Sequence, residues 1–365
     1  MKTSAQNTHA DPRIDQAKAW LGERSSELQA CGLTVAVESC RPASSDASFR
    51  RYFRFDGQIH GQAGQVILMD APPDKEDIRP FVAIDQLLEQ AGLSVPKIWA
   101  SDTGQGFLLC SDLGQETYLA ALNAARGSDT RTTELYRDAW QALVRLQRFS
   151  VERVSPVSTG SLPSDKNSAT GLGPYSAEKL MQEMRLFDEW YLGRHKPIAL
   201  SASERDGLMQ VYERVLAACL AQPAVIVHRD YHSRNLMVMA KNNPGVLDFQ
   251  DAVIGPITYD LVSLLRDAYI EWPEDLQIDW AVRYWQDARQ AGLPVSDDFG
   301  EFWRDFEWMG LQRHIKVLGI FARLYHRDGK ENYLNDLPVV MRYAMSVARR
   351  YQGLGPLAKI LERCA

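Results

Sequence analysis

The stretches VIVHRDYHSRNLMV, residues 225–238, and PGVLDFQDA, residues 244–252, decide how this chain is read. Val225–Val227 has the texture of a buried strand and runs straight into His228, Arg229 and Asp230. Asn235 follows five residues after Asp230, and Asp248 closes a second apolar run thirteen residues beyond Asn235. The spacing predicts a strand ending near Val227, a tight loop, and a β-hairpin (LMVMAKNNPGVLDF) that returns the chain so that Asn235 and Asp248 meet. A carboxylate with an amide oxygen suits Mg²⁺, a hard cation that takes oxygen ligands and is commonly completed by substrate phosphates. Asp230, on the same loop, is placed to orient an attacking hydroxyl and accept its proton. Such an arrangement performs phosphoryl transfer, where positioning and charge neutralisation supply most of the catalysis. An HRD tripeptide alone is a weak signal, and Asp at a strand end is commonly a turn residue. The reading rests on the agreement of strand, loop and hairpin with Gly255 and Asp260 at the start of a helix.

Upstream, residues 1–12 read as a polar tail. Ile14, Ala17, Trp20, Leu21 and Leu28 recur at helical spacing, which predicts a helix over 14–31. LTVAVES (33–39), FRRYFRF (49–55) and QVILMD (65–70) have strand texture. PASSDAS and DGQIHGQAG between them read as turns, so an antiparallel sheet is expected rather than βαβ units. Ile78, Phe81, Ile84, Leu87 and Leu88 share one helical face, and Gly92 stops that helix. VPKIWASD and GFLLCSD add two more strands. From Gln115 onward the pattern is mostly helical, with 150–176 a Ser-, Pro- and Gly-rich loop. The expected fold is α+β: residues 13–110 form a small antiparallel β-rich lobe, 111–365 a larger helical lobe, with a cleft between them.

Composition excludes several classes. A net charge of −6 over 365 residues gives no footprint for nucleic acid or an anionic membrane. No apolar run approaches the length of a membrane span, and the first residues lack the apolar core of a signal peptide. Five scattered cysteines without a CxxC pair suggest neither a zinc site nor a disulfide framework. A cytoplasmic protein, monomeric and acting on a small molecule, is expected. There is no G-x-x-x-x-G-K-[ST], and Gly104-x-Gly106 lacks a third glycine, so P-loop and dinucleotide readings fail.

The HRDYHSRN run, Asp248-Phe249 and the following GPITYDLVSLL (255–265) resemble the aminoglycoside phosphotransferase-like branch of the protein-kinase-like fold. The resemblance implies a two-lobed kinase using ATP and Mg²⁺, with Asp230 as catalytic base and Asn235 and Asp248 as metal ligands. Asp260 is expected to cap its helix and brace the catalytic loop, while Arg229 stands where antibiotic kinases usually carry Gly. FLLCSDLG (107–114) looks like the hinge, whose Leu109, Cys110 and Ser111 backbone would meet adenine. PASSDASFRRYFRF (42–55) falls at the nucleotide-covering loop, with Ser44, Ser45 and Ser48 small enough to admit phosphates and Arg51 as a phosphate cation. The third strand, VILMDAPP, lacks the family's Lys. Arg50, Arg51, Arg54 or Lys75 is the expected replacement. VAID (82–85) sits in a helical pattern and is not that strand.

Two stretches, GPYSAEKLMQEMRLFDEWYLGRH (173–195) and MGLQRHIKVLGIFARLYHRDGKENYL (309–334), look most like the bacterial kinases that phosphorylate the anomeric hydroxyl of N-acetylmuramate or N-acetylglucosamine in cell-wall recycling. On that resemblance the acceptor is a sugar, with Glu183, Asp188, Trp190, His232, Gln312 and Arg313 as candidate contacts. An aminoglycoside, choline or homoserine-type acceptor is the alternative enzyme. A nucleotide-binding pseudokinase is the alternative from a different class.

Overall fold

The computed structural model describes residues 11–45, 49–126, 129–153 and 171–364. The chain divides into two compact units, one of Met1–Gln86 with Val95–Gly114 and one of Leu87–Ser94 with Gln115–Ala365.

In the first unit, α1 (Pro12–Glu23) and α2 (Ser25–Ala30) divide the helical span expected over 14–31. Asp11 caps α1 by accepting from the backbone N–H groups of Arg13 and Ile14, and Pro12 stands at its first position. Strands β1 (Leu33–Val35), β2 (Arg41–Ser45), β3 (Arg51–Ile59) and β4 (Gln62–Asp70) follow, then α3 (Arg79–Gln90), whose last residues, from Leu87, are counted with the second unit, and β5 (Ile98–Asp102) and β6 (Phe107–Ser111). The sheet order is β1-β3-β4-β6-β5 with β2 on β3, all antiparallel. Two turn expectations are corrected. PASSDAS begins as β2, and most of DGQIHGQAG is strand. The β3–β4 reversal is confined to His60 and Gly61, both left-handed at φ 50° and 78°, the pair that matches strand twist in a two-residue hairpin. Phe53, Phe55, Val66 and Leu68 alternate onto the face covered by Trp20, Leu21 and Leu28 of α1 and α2.

The second unit carries α4 (Tyr118–Ala124), α5 (Asp129–Arg153), α6 (Ala177–Leu186), α7 (Ala202–Leu220), β7 (Ala224–Val227), β8 (Leu236–Met237), β9 (Gly245–Val246), β10 (Val253–Pro256), α8 (Tyr259–Leu265), α9 (Glu274–Gln290), α10 (Phe299–Asp328), α11 (Leu337–Arg350) and α12 (Gly355–Cys364). α6 runs on as a π-helical segment, Phe187–His195. The long α10 is buried along most of its length. Gly319 lets it approach the α6 exit, because a Cβ there would lie 2.3 Å from the Leu186 carbonyl carbon. That close approach brings the polar run Gln312–Lys316 of α10 beside α6. Among the described residues no helix is long and apolar enough to cross a membrane.

Candidate active site

β7 pairs with β10, and Val225, Ile226 and Val227 are almost wholly buried. Its end delivers His228 and Arg229 to the carboxylate of Asp260 in the first turn of α8. Asp260 accepts the backbone N–H of His228 at 2.7 Å and of Arg229 at 2.9 Å. This is the brace expected from the sequence. Arg229 takes φ 78°, a left-handed conformation costing a non-glycine residue about 1 kcal/mol or more. The double grip of Asp260 on two successive N–H groups holds that conformation in place. Burial pushes the Asp260 carboxyl up to about 7, against the two N–H donors that favour its charge.

The loop is closed by its own residues. The Asp230 N–H donates to His228 Nδ1 at 3.2 Å, and Asn235 Nδ2 donates to the Asp230 carbonyl at 3.0 Å. Burial holds His228 neutral, with its pKa lowered to about 4, so Nδ1 is available as an acceptor. β8 and β9 pair as the expected hairpin. Leu247 N–H reaches the Asn235 carbonyl at 2.9 Å, and Asn235 Nδ2 lies 3.3 Å from Asp248 Oδ2. Gln250 Nε2 donates to Asp248 Oδ1 at 2.8 Å, and Asp248 itself is left-handed at φ 62°. The structure thus brings Asp230, Asn235 and Asp248 together.

The Asp230 side chain is half-buried, and no described residue donates a hydrogen bond to its carboxylate. Burial would raise its pKa, but the positive charges of Lys316, Arg229 and Arg313 outweigh that and hold it below the ordinary value. The carboxylate is therefore charged and open to an outside donor.

Behind the loop lies a cluster that the sequence reading placed differently. Glu183 on α6 accepts from Arg229 Nη2 at 2.7 Å, pairs with Lys316 Nζ at 3.1 Å, and accepts from the Tyr175 hydroxyl. Lys316 also donates to the Tyr259 hydroxyl at 3.0 Å. Burial opposes a charged Glu183, yet Lys316 and Arg229 hold its carboxyl below the usual range. Glu183 was expected to meet the acceptor; its oxygens instead tie Arg229 to α6 and α10. Tyr175 and Tyr259 were absent from the candidate contacts.

The remaining candidates separate. Asp188 accepts from the Tyr212 hydroxyl at 2.6 Å. It lines a cavity of about 280 Å³ with Leu192, Ile198, Leu208 and Met209, whose walls include no catalytic-loop residue. Trp190 lies under the Arg194 guanidinium, 4.7 Å from ring to charge. His232 is buried edge-on against Tyr269, and its Nδ1 has no partner. Gln312 Nε2 donates to the Leu180 carbonyl at 3.3 Å, and Arg313 is 4% exposed beside it.

In the first unit, Arg51 shares the sheet face of Phe53 and Phe55, where α1 covers it. Its guanidinium bonds Asp70 at 3.0 Å and pairs with Asp11. Asp70 also accepts from Arg13 of α1 at 3.0 Å. Arg51 is thus a clamp between sheet and helix, not a free phosphate cation. Arg54, on the opposite face, is committed to Asp112 at 3.1 Å, and Lys75 sits 4.9 Å from the Phe49 ring. Leu109 and Cys110 lie in β6, which pairs with β4 on one edge and β5 on the other. Ser111 N–H is taken by the Lys97 carbonyl at 2.9 Å. Their backbone groups therefore serve the sheet, and the stretch left outside it is Asp112–Gly114. Ser44 and Ser45 have their backbone in β2, while Ser48 lies outside the described residues.

A family model described as the phosphotransferase enzyme family matches residues 39–299. The chain belongs to this family. The N-acetylmuramate/N-acetylglucosamine kinase of Pseudomonas putida is 43% identical over 354 residues, 96% of this chain and 96% of that protein. A protein of the same name from Neisseria meningitidis is 44% identical over 319 residues, 87% of this chain and 88% of its own. Among solved structures, the choline kinase LicA from Streptococcus pneumoniae matches with a TM-score of 0.57 at 13% identity, covering 91% of this chain and 99% of that one. At that identity the likeness shows the fold alone, and the family's kinase-like α+β fold is the one expected from the sequence.

Proposed function

We propose that this phosphotransferase moves the γ-phosphoryl group of ATP to the anomeric hydroxyl of N-acetylmuramate or N-acetylglucosamine. The Asp230 carboxylate supports the chemistry, since it is charged, open and fixed beside Asn235 and Asp248. Kinship with the Pseudomonas and Neisseria proteins supports the acceptor.

Asp230 orients the sugar hydroxyl through its open carboxylate and takes the proton as the bond to the γ-phosphorus forms and the bond to the β,γ-bridging oxygen breaks, releasing ADP. A weak base suffices, because the transition state of phosphoryl transfer is loose and asks for little early deprotonation. Lys316 and Arg229 keep that carboxylate ionised. Asp260 fixes the backbone that carries it.

The donor set fits Mg²⁺. Asn235 turns its Nδ2 toward Asp230 and Asp248, which leaves its amide oxygen as the remaining acceptor beside the Asp248 carboxylate. Two protein ligands are enough for an ion that also takes phosphate oxygens. When bound, Mg²⁺ neutralises the charge on those phosphates.

The test is ADP release from Mg·ATP in the presence of N-acetylmuramate, N-acetylglucosamine, kanamycin or choline. Stimulation by the two acetylated sugars alone supports the reading. Stimulation by kanamycin or choline alone moves the acceptor to the alternative class.

A further inference from the structure

We infer that Arg313 is the specificity-determining residue for acceptors that carry a carboxylate, its guanidinium meeting the acidic side group of a sugar such as N-acetylmuramate. The inference rests on the reading of the chain as a sugar kinase.

Arg313 is 4% exposed, and its Nη1 is buried without a partner. Among the described residues it makes no ion pair and no hydrogen bond. A permanent charge whose Nη1 donors are taken out of water and left unmatched is costly to bury. Other buried cations here are matched. Arg266 pairs with Glu307 at 3.0 Å, and Lys316, one helical turn beyond Arg313 on α10, pairs with Glu183 at 3.1 Å. Against that background Arg313 is an unfilled anion site.

Its place is set by α10: one turn on, Lys316 pairs with Glu183, which also holds Arg229 of the catalytic loop, and Asp230, Asp260 and His232 all feel its charge. Asp260 and His228 are committed to the loop itself, and Asp230 is reserved for the hydroxyl. Among the described residues no carboxylate pairs with Arg313. His232 Nδ1, also buried and unpartnered, offers a neutral hydrogen-bonding atom within the same field. A charged site with a polar neighbour fits a carboxylate on a sugar. N-acetylglucosamine has no such group and leaves the guanidinium unmatched. The planar fork binds a carboxylate through two parallel bonds, which a lysine cannot reproduce.

The experiment measures kcat/KM for N-acetylmuramate, its lactyl carboxamide and N-acetylglucosamine, on wild type, Arg313→Gln and Arg313→Lys. The expected result is a loss of about 10²-fold on N-acetylmuramate in Arg313→Gln, chiefly in KM. The ratio of N-acetylmuramate to N-acetylglucosamine efficiency should fall at least about tenfold, with Arg313→Lys intermediate. The carboxamide needs only the native enzyme. It should be a poorer substrate than the acid for wild type and no poorer for Arg313→Gln. Equal losses on both sugars, or a wild type indifferent to the carboxamide, would overturn the inference while leaving the kinase reading standing. A wild type that phosphorylates neither sugar would overturn the kinase reading itself.

Discussion

Asn235 and Asp248 are joined across the hairpin by an Nδ2–Oδ2 contact of 3.3 Å, although thirteen positions separate them in the chain. The β8–β9 pairing sets that meeting, and the same Asn235 nitrogen holds the Asp230 carbonyl. Metal-side and base-side groups are therefore one mechanical unit. Asn235→Ala should cut kcat by about 10²-fold or more and raise the Mg²⁺ concentration needed for half-maximal rate, and Asp248→Ala should be the more severe. A magnesium titration at saturating ATP checks this. Unchanged metal dependence in both variants would count against the assignment.

Lys316 is expected to act on the reaction through Asp230. Its charge lowers the Asp230 pKa, so Lys316→Met should shift the acidic limb of the kcat/KM profile to higher pH. Leaving Glu183 to Arg229 alone should also cost stability, on the order of 3 kcal/mol for a broken buried pair. A pH–rate profile beside a denaturant melt separates the two effects.

His228 and Asp260 titrate in opposite senses. His228 has its pKa lowered from 6.5 to about 4. Between those values the unfolded chain binds the extra proton, so this group loses stability as pH falls. Asp260 is raised from 3.8 to about 7. Between those values the folded chain binds the extra proton, so this group gains stability as pH falls. Each contributes a slope of at most about 1.4 kcal/mol per pH unit. Relative to wild type, His228→Asn should become more stable on acidification from pH 7 to 4, and Asp260→Asn less stable. Urea melts across that range would show the two curves diverging; parallel curves would contradict the burial argument.

Gly319 is a packing position. Gly319→Val should cost roughly 2–3 kcal/mol by forcing α10 away from the Leu186–Phe187 backbone, and should loosen the Glu183–Lys316 contact on the same pair of helices. Thermal unfolding, with kcat as a second readout, tests both parts.

What the sequence made legible was whatever depends on local chemistry. The strand-to-loop change at Val227, the return to Asp248 and the brace from Asp260 to the loop are each seen in the structure, whereas Asp260 does not cap its own helix, whose start has no side-chain cap. The helix 79–90 and its stop at Gly92 were legible for the same reason. Facing and partnership were not. Arg51 had the right strand for a phosphate cation, but which face it occupies depends on where α1 packs. Glu183 read as a contact to the acceptor because its partners Arg229 and Lys316 lie 46 and 133 positions away in the chain. Leu109 and Cys110 had the right composition for a hinge, but only the pairing of β6 on both edges shows that their backbone groups are taken.

The most direct test of the central claim is phosphorus NMR of the purified protein with Mg·ATP and N-acetylmuramate or N-acetylglucosamine, run beside Asp230→Asn. The account predicts a new sugar-1-phosphate resonance with wild type, and its loss by about 10³-fold in rate in a variant that still folds and binds ATP. A variant that makes the same product at near-native rate, or a wild type that converts neither sugar, would contradict it.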